Sequence, residues 1–281
     1  MSTELAEDIR ARRFITARLR AEALAEYPGA PPQSLTEAYS VQDEAIRLWP
    51  DRVAGWKVGR INPPWDGLLG SDRLAGPVFA SDVSHAGASP VDTFVFEGGF
   101  GAVEGEIVIV CAGDAPPQKT AWTTEEASEL IGDILIGAEI ASSPFPGIND
   151  LGPLVTISDF GNNNGLVLGP QVAGWRQASP SDWGFTTRID GEIIGRADAS
   201  AIPGGPIESF RALLEICAAR GMPLRKGMYV STGAVTGVHT IRAGQTASVE
   251  MDGYPEINLR LLPMGPSARR IPGGSASSGT Q

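Results

Sequence analysis

The run Ala102-Val103-Glu104-Gly105-Glu106-Ile107-Val108-Ile109-Val110 constrains this chain more than any other stretch. Its apolar, β-branched character predicts a buried strand. Side chains two apart on a strand share a face, so Glu104 and Glu106 converge on one side. A buried carboxylate without a partner is costly to desolvate, and two together also repel. Either a cation neutralises them or the strand is wet. A third carboxylate, Glu139, stands in a second apolar run, Ile134-Leu135-Ile136-Gly137-Ala138-Glu139-Ile140-Ala141. Three carboxylates set in apolar strands point to one hard divalent cation held by oxygen ligands, magnesium or manganese rather than zinc. The alternative is a solvated edge for Glu104 and Glu106, with Glu139 paired to an arginine.

Of the 281 residues 42% are hydrophobic and 20% charged, which allows a large core and argues against global disorder. The net charge of −11 argues against nucleic acid or an anionic membrane surface as a partner. It leaves room for an anionic small substrate, because a metal and a few cations invert the local field. Cys111 and Cys217 sit in apolar settings and imply no disulfide framework. With only His85 and His239, a histidine-rich zinc site is not expected, and neither belongs to a Ser/His/Asp arrangement. The first residues lack the basic start and apolar core of a signal peptide, and no apolar run reaches membrane-spanning length. A soluble cytoplasmic protein is expected.

Apolar periodicity predicts an amphipathic helix over 3–26 and a second from Ser34 or Thr36, with Thr36 as its cap, to Leu48. Short strands follow at 53–58, 78–80 and 93–96, then the strand with the two glutamates. Thr123-Thr124-Glu125-Glu126 resembles a capping box opening a helix to Gly132. Residues 142–164 read as loop, 166–169 as a strand, and Asp190-Gly191 as a hairpin turn within 186–194. A helix over 206–220 ends at Gly221, and strands are expected at 229–233, 245–251 and 256–261. Many short strands with few helices indicate an α+β domain built on a rolled sheet or barrel. Three parts are expected: a helical extension over 1–50, a catalytic β-roll domain over 51–265 and a mobile tail over 266–281.

Lys57, in Gly55-Trp56-Lys57-Val58-Gly59, is either a surface lysine on an edge strand or a cation facing the same cavity as the metal. In the second case it binds a substrate oxygen or transfers a proton. The Asn-rich loop from Asp159 to Gly165 is either a plain turn or a source of neutral donors for a ligand. Ser231-Thr232-Gly233 either ends a strand or offers a hydroxyl and backbone N–H groups to a carboxylate. Gly99-Phe100-Gly101 leads into a strand rather than a helix, against the order a dinucleotide loop needs.

Taken in order, Gly55-Trp56-Lys57-Val58-Gly59, Glu104-Gly105-Glu106, Glu139, the Asp159–Gly169 run and Ser231-Thr232-Gly233-Ala234 resemble the 2-keto-4-pentenoate hydratases of the fumarylacetoacetate hydrolase superfamily. The resemblance spans about residues 35–262. It implies a mixed β-barrel or β-roll core, a homo-oligomer and a Mg²⁺ or Mn²⁺ site. Carried over by position, Glu104, Glu106 and Glu139 are the metal ligands and Lys57 the active-site lysine. Arg60, Asp159, Asn162, Thr232 and Gly233 are the candidates for binding a small 2-oxo acid. Arg60 either meets a second substrate carboxylate or lies on the surface. Two positions depart from the family pattern. Leu74 or Ala75 stands where many hydratases carry an acidic residue, with Asp72 out of register. Phe160-Gly161-Asn162 replaces the usual Asn-Ala-Ser.

The activity implied by the resemblance is hydration of a 2-hydroxy-2,4-dienoate or 2-oxo-4-enoate to a 4-hydroxy-2-oxo acid. The water-activating base is unassigned. Decarboxylation of a 2-oxo acid uses the same electron sink and is the alternative within enzymes. C–C hydrolysis fits less well, because no histidine precedes His85. A non-catalytic metal- or ligand-binding subunit is the alternative outside enzymes.

Overall fold

The computed structural model describes residues 8–266. Among these, six α-helices form: α1 (Ile9–Arg20), α2 (Leu35–Leu48), α3 (Trp65–Leu69), α4 (Thr124–Glu129), α5 (Pro153–Ser158) and α6 (Gly205–Ala219). The first seven strands are β1 (Val53–Arg60), β2 (Arg73–Phe79), β3 (Val83–His85), β4 (Val91–Val95), β5 (Phe100–Cys111), β6 (Ile131–Ser143) and β7 (Asn163–Gln171). The remaining six are β8 (Gly184–Ile189), β9 (Glu192–Asp198), β10 (Tyr229–Ala234), β11 (His239–Thr240), β12 (Thr246–Met251) and β13 (Ile257–Pro263).

The strands form two sheets. The larger has the order β2-β1-β10-β5-β6-β7-β3, with β11 on β5, and the smaller β4-β13-β12-β8-β9. Both mix orientations: β1 with β10, β3 with β7 and β4 with β13 run parallel, while the other pairs are antiparallel. The larger sheet curls into a half-barrel with few helices, which is the α+β roll expected.

Alternation along β5 separates the two sides of the curled sheet. Val103, Ile107 and Ile109 enter the main core with Phe185 of β8, Val249 of β12 and Phe210 and Leu213 of α6. Gly105 belongs to this side: a Cβ there would lie 3.1 Å from Val249 Cγ1 and 3.2 Å from Thr187 Oγ1, so the second sheet packs onto bare backbone. Glu104 and Glu106 emerge on the other side. Val108 follows them and packs with Val78, Leu166 and Leu168.

The N-terminal helices close this second side. α1 starts at Asp8, whose side chain accepts from the Arg10 N–H, and ends at Ala21, which adopts left-handed backbone. The helix therefore ends short of the expected residue 26, and Leu24 packs from the following loop against Phe14 and Tyr27. Residues 1–7 lie outside the described ones. Ser34, not Thr36, caps α2 by accepting from the Glu37 N–H. Gln42 of α2 donates to the carbonyls of Ala75 in β2 and Ile157 in α5, at 2.9 and 2.7 Å. Trp49, Phe79 and Phe160 stack edge to face or tilted between these layers, each pair adding ~1 kcal/mol beyond area burial.

Thr123 and Glu126 form the capping box of α4, but the helix stops at Glu129 because β6 already begins at Ile131. Residues 142–164 are less loop-like than their Pro and Gly content implies. β6 runs on to Ser143, and Pro153 opens α5 at its first position, where its missing N–H costs nothing. Asp190 and Gly191 both take positive φ in the turn between β8 and β9. The two cysteines are free and buried. The expected mobile tail falls outside the described residues apart from Pro266. No helix among the described residues is long and apolar enough to cross a membrane.

Candidate metal centre

Register decides where the carboxylates meet. β5 and β6 pair antiparallel with Glu104 directly opposite Glu139 and Glu106 opposite Gly137. Paired residues share a face, so the three carboxylates gather at one place; one oxygen from each lies within 4.8 Å of the others. Glu106 and Glu139 are fully buried and Glu104 nearly so.

Lys57 comes to the same place from β1, two strands away, where it pairs with Gly76 of β2 and Ser231 of β10. Its ammonium lies 3.2 Å from Glu139 Oε1 and donates to Asn162 Oδ1 at 3.3 Å. Asn163 donates to Glu139 Oε1 at 3.0 Å, and the Gly233 N–H donates to Glu106 Oε2 at 2.6 Å. Glu106 Oε1 and Glu139 Oε2 have no hydrogen-bond partner although both are buried.

Such orphaned, buried carboxyl oxygens are unusual in a folded protein. Burial pushes the Glu104 carboxyl up to about 7, with repulsion from Glu139 adding to the rise and Lys57 opposing it. Glu106 is also raised well above the usual carboxylate range, by burial first and then by Glu139 and Glu104. Burial alone would favour a neutral Lys57. Attraction to the three carboxylates, Glu139 foremost, outweighs it and holds the lysine as an ammonium. Three oxygen donors, two of them orphaned, with one cation for three negative charges, fit a hard divalent ion.

A cavity of about 620 Å³ opens beside this cluster. Lys57, Glu104 and Asn162 reach its lining; Leu74, Trp65 and Thr156 contribute to its walls. Arg60, exposed at the end of β1, Thr232 and Gly233 also line it. Thr232 and Gly233 spend their donors internally: the Thr232 hydroxyl donates to the Ile107 carbonyl at 2.8 Å, and the Gly233 N–H holds Glu106. Their evident work is to fix the strand and the carboxylate.

Asp159 departs from expectation. It does not line the cavity but is buried against Arg18 of α1, at 2.6 Å, and accepts from the Ser143 hydroxyl at 2.6 Å. The cause is local. Phe160, Gly161 and Asn162 all have positive φ, which turns the chain so that Asp159 and Asn162 face apart. Asn163 and Asn149 were not among the expected site residues. Asn163 contacts Glu139, and Asn149 accepts from Asn162 Nδ2 at 3.1 Å. The run of three asparagines was the only signal for Asn163; none marked Asn149. Leu74 lines the cavity near the place of the missing acidic residue, and Asp72 pairs with Arg73 instead.

No family model matches the sequence. A 2-keto-4-pentenoate hydratase of Burkholderia vietnamiensis is 26% identical over 232 residues, covering 81% of this chain and 86% of that protein. A 4-oxalocrotonate decarboxylase of Pseudomonas putida is 21% identical over 236 residues, covering 83% and 87%. Among solved structures, 4-oxalocrotonate decarboxylase from Pseudomonas putida G7, complexed with magnesium and adipate, superposes with a TM-score of 0.74 at 17% identity, covering 90% of this chain and 95% of that one. Fumarylpyruvate hydrolase from Pseudomonas aeruginosa, with Mn²⁺ and pyruvate, gives 0.55 at 19%, covering 76% and 91%. The solved structures share the fold of this chain; what bears on a metal here is its own cluster of three buried carboxylates.

Proposed function

We propose that this chain, a relative of the 2-keto-4-pentenoate hydratases with the fumarylacetoacetate hydrolase fold, is a divalent-metal-dependent lyase that hydrates a 2-oxo-enoate. The observation that carries the reading is the buried Glu104, Glu106 and Glu139 cluster, with two orphaned oxygens, beside a cavity that Lys57 enters. These three carboxylates would hold Mg²⁺ or Mn²⁺. Such an ion, when bound, draws electron density from the C2 oxygen of a 2-oxo acid and steadies its enolate.

The residues of the chain divide the remaining work. Lys57 is held as an ammonium by its carboxylate neighbours, and a metal sharing the charge of those carboxylates would relax that hold and let it give up a proton. On a 2-hydroxy-2,4-dienoate Lys57 delivers that proton to C5 while the 2-hydroxyl gives one up, and the dienol becomes a conjugated enone. Water then adds at C4 and a proton goes to C3, giving a 4-hydroxy-2-oxo acid. Asn162, held by Asn149 and Lys57, offers a neutral amide to the substrate. Gly233 and Thr232 keep Glu106 and its strand in place. Arg60 at the exposed end of β1 is available to a distal substrate group.

Leu74 favours a second reading. An apolar wall where a water-activating carboxylate would stand suits decarboxylation, which needs the electron sink and a proton donor but no such base. The test is incubation with Mg²⁺ or Mn²⁺ and two substrates, a 2-hydroxy-2,4-dienoate and a 2-oxo-3-enedioate, followed by absorbance and product mass. Gain of one water supports hydration, and loss of carbon dioxide supports decarboxylation. No turnover of either, with metal bound, would leave a binding role.

A further inference from the structure

The turn that carries Asn162 is strained. Phe160, Gly161 and Asn162 have φ of 57°, 60° and 57°. Left-handed backbone is unfavourable for residues with a Cβ, and for a bulky side chain such as Phe160 it is a genuine outlier. Such a conformation persists only where the surroundings over-determine it. This turn is also what aims two amides: Asn162 Oδ1 accepts from Lys57 Nζ, and Asn163 Nδ2 donates to Glu139 Oε1.

One side chain ties both flanks of the turn together. Arg18 reaches in from α1 with its side chain fully buried. On the near flank, Nε donates to Asp159 Oδ1 at 2.6 Å and Nη2 to Asp159 Oδ2 at 2.9 Å. On the far flank, Nη1 donates to the Asn163 carbonyl at 3.3 Å and to Asn164 Oδ1 at 3.2 Å. Nη2 also donates at 3.1 Å to the carbonyl of Ser142, on the strand that carries Glu139. The guanidinium carbon stands 5.1 Å from the centre of the Phe160 ring. Beneath the turn, Gly76 leaves the needed space, since a Cβ there would lie 2.1 Å from the Phe160 carbonyl oxygen. A planar fork with five donors meets this arrangement, and a point-like ammonium does not.

We infer that Arg18 is a positioning residue for the metal centre. It holds residues 159–164 in the strained turn, and through them sets Asn163 against Glu139 and Asn162 against Lys57. The first helix is then part of the site's working parts rather than a cover over the roll. The metal readout below rests on the proposed metal centre; the exchange readout does not.

The test uses the full chain and the variants Arg18→Lys, Asp159→Asn and Asn163→Ala. Amide hydrogen exchange is measured in EDTA, comparing residues 159–165 with α6, and Mn²⁺ affinity is measured by calorimetry. For Arg18→Lys we expect lost protection at 159–165 with α6 unchanged, and a roughly tenfold or greater weakening of Mn²⁺ binding. Adding Asn163→Ala to Arg18→Lys should weaken Mn²⁺ little further, because both act along one path. A purely structural role predicts faster exchange throughout, α6 included, with Mn²⁺ affinity intact. Wild-type protection at 159–165, or wild-type Mn²⁺ affinity in Arg18→Lys where Asn163→Ala has lost it, overturns the inference. If the wild type binds no Mn²⁺, the metal centre fails and the exchange result alone decides the clamp. If Arg18→Lys does not fold, Asp159→Asn carries the same prediction.

Discussion

Glu104→Gln should stabilise the protein in the absence of metal, and only above acidic pH. The Glu104 carboxyl is pushed up to about 7 from an ordinary 4.5, by burial first, with Glu139 adding to it and Lys57 opposing. A carboxyl raised in the folded state leaves stability intact below its unfolded pKa. Stability is then lost as pH climbs through the window between the two values, and levels off above the folded one. A gap of this size corresponds to roughly 3 kcal/mol once both states are ionised. Glutamine keeps the shape and removes the charge, so it escapes this loss. Urea unfolding in EDTA at about pH 4 and about pH 8 reads the difference. The variant should match the wild type near the lower pH and exceed it by roughly 3 kcal/mol near the upper. Excess Mn²⁺ should reverse the order at the upper pH by stabilising only the wild type. Equal pH dependence for the two proteins would refute the account, because it would mean that Glu104 is not desolvated in a repelling cluster.

Glu106→Gln should abolish calorimetric Mn²⁺ binding while leaving the unfolding midpoint in EDTA unchanged or higher, since it too removes a charge from the cluster. Lys57→Ala should lower kcat by about 10²-fold or more with a smaller change in Mn²⁺ affinity; equal turnover would return Lys57 to an ion-pairing role. Gly76→Ala should cost ~1–3 kcal/mol in urea unfolding, because its Cβ meets the Phe160 carbonyl, and it should weaken Mn²⁺ binding along with stability.

The carboxylate cluster is legible in the sequence because strand alternation is a rigid rule. Once Glu104, Glu106 and Glu139 stand in apolar runs, a shared face follows from any antiparallel pairing that leaves the apolar residues in the core. Lys57 was legible as a pair of alternatives, and only the β1–β10 register resolves it. The setting of Asp159 against Arg18 is out of reach of propensity. A left-handed turn at Phe160 has no sequence signature, and three residues of it reverse which side chain faces the site. Arg18 was one arginine among Arg10, Arg12, Arg13 and Arg20. The available clue was its spacing: four after Phe14 and three after Ile15, it falls on the buried side of α1. α5 was hidden by its setting of Pro and Gly, although Pro after Gly152 is also a helix-opening signal. Leu74 stands out in the sequence as a departure, but its place in the cavity wall follows only from the β1–β2 pairing.

Charge counting explains why a divalent ion, rather than another proton or another lysine, suits this interior. Three carboxylates facing one ammonium leave two negative charges without compensation in a place that water barely reaches. In the metal-free protein the only remedy is protonation, and the raised Glu104 and Glu106 carboxyls record it. A monovalent ion would leave one charge bare, and a trivalent one would reverse the sign. A divalent ion brings the cluster and Lys57 to neutrality, which removes the penalty that burial imposes. Neutrality also weakens the hold of Glu139 on Lys57, because the oxygens that attract the ammonium now share their charge with the metal. Under the proposed function, Lys57 would thereby be freed to meet an incoming anion with its proton in place. Metal binding and lysine availability would in this way be one electrostatic event, centred on the contact between Lys57 and Glu139.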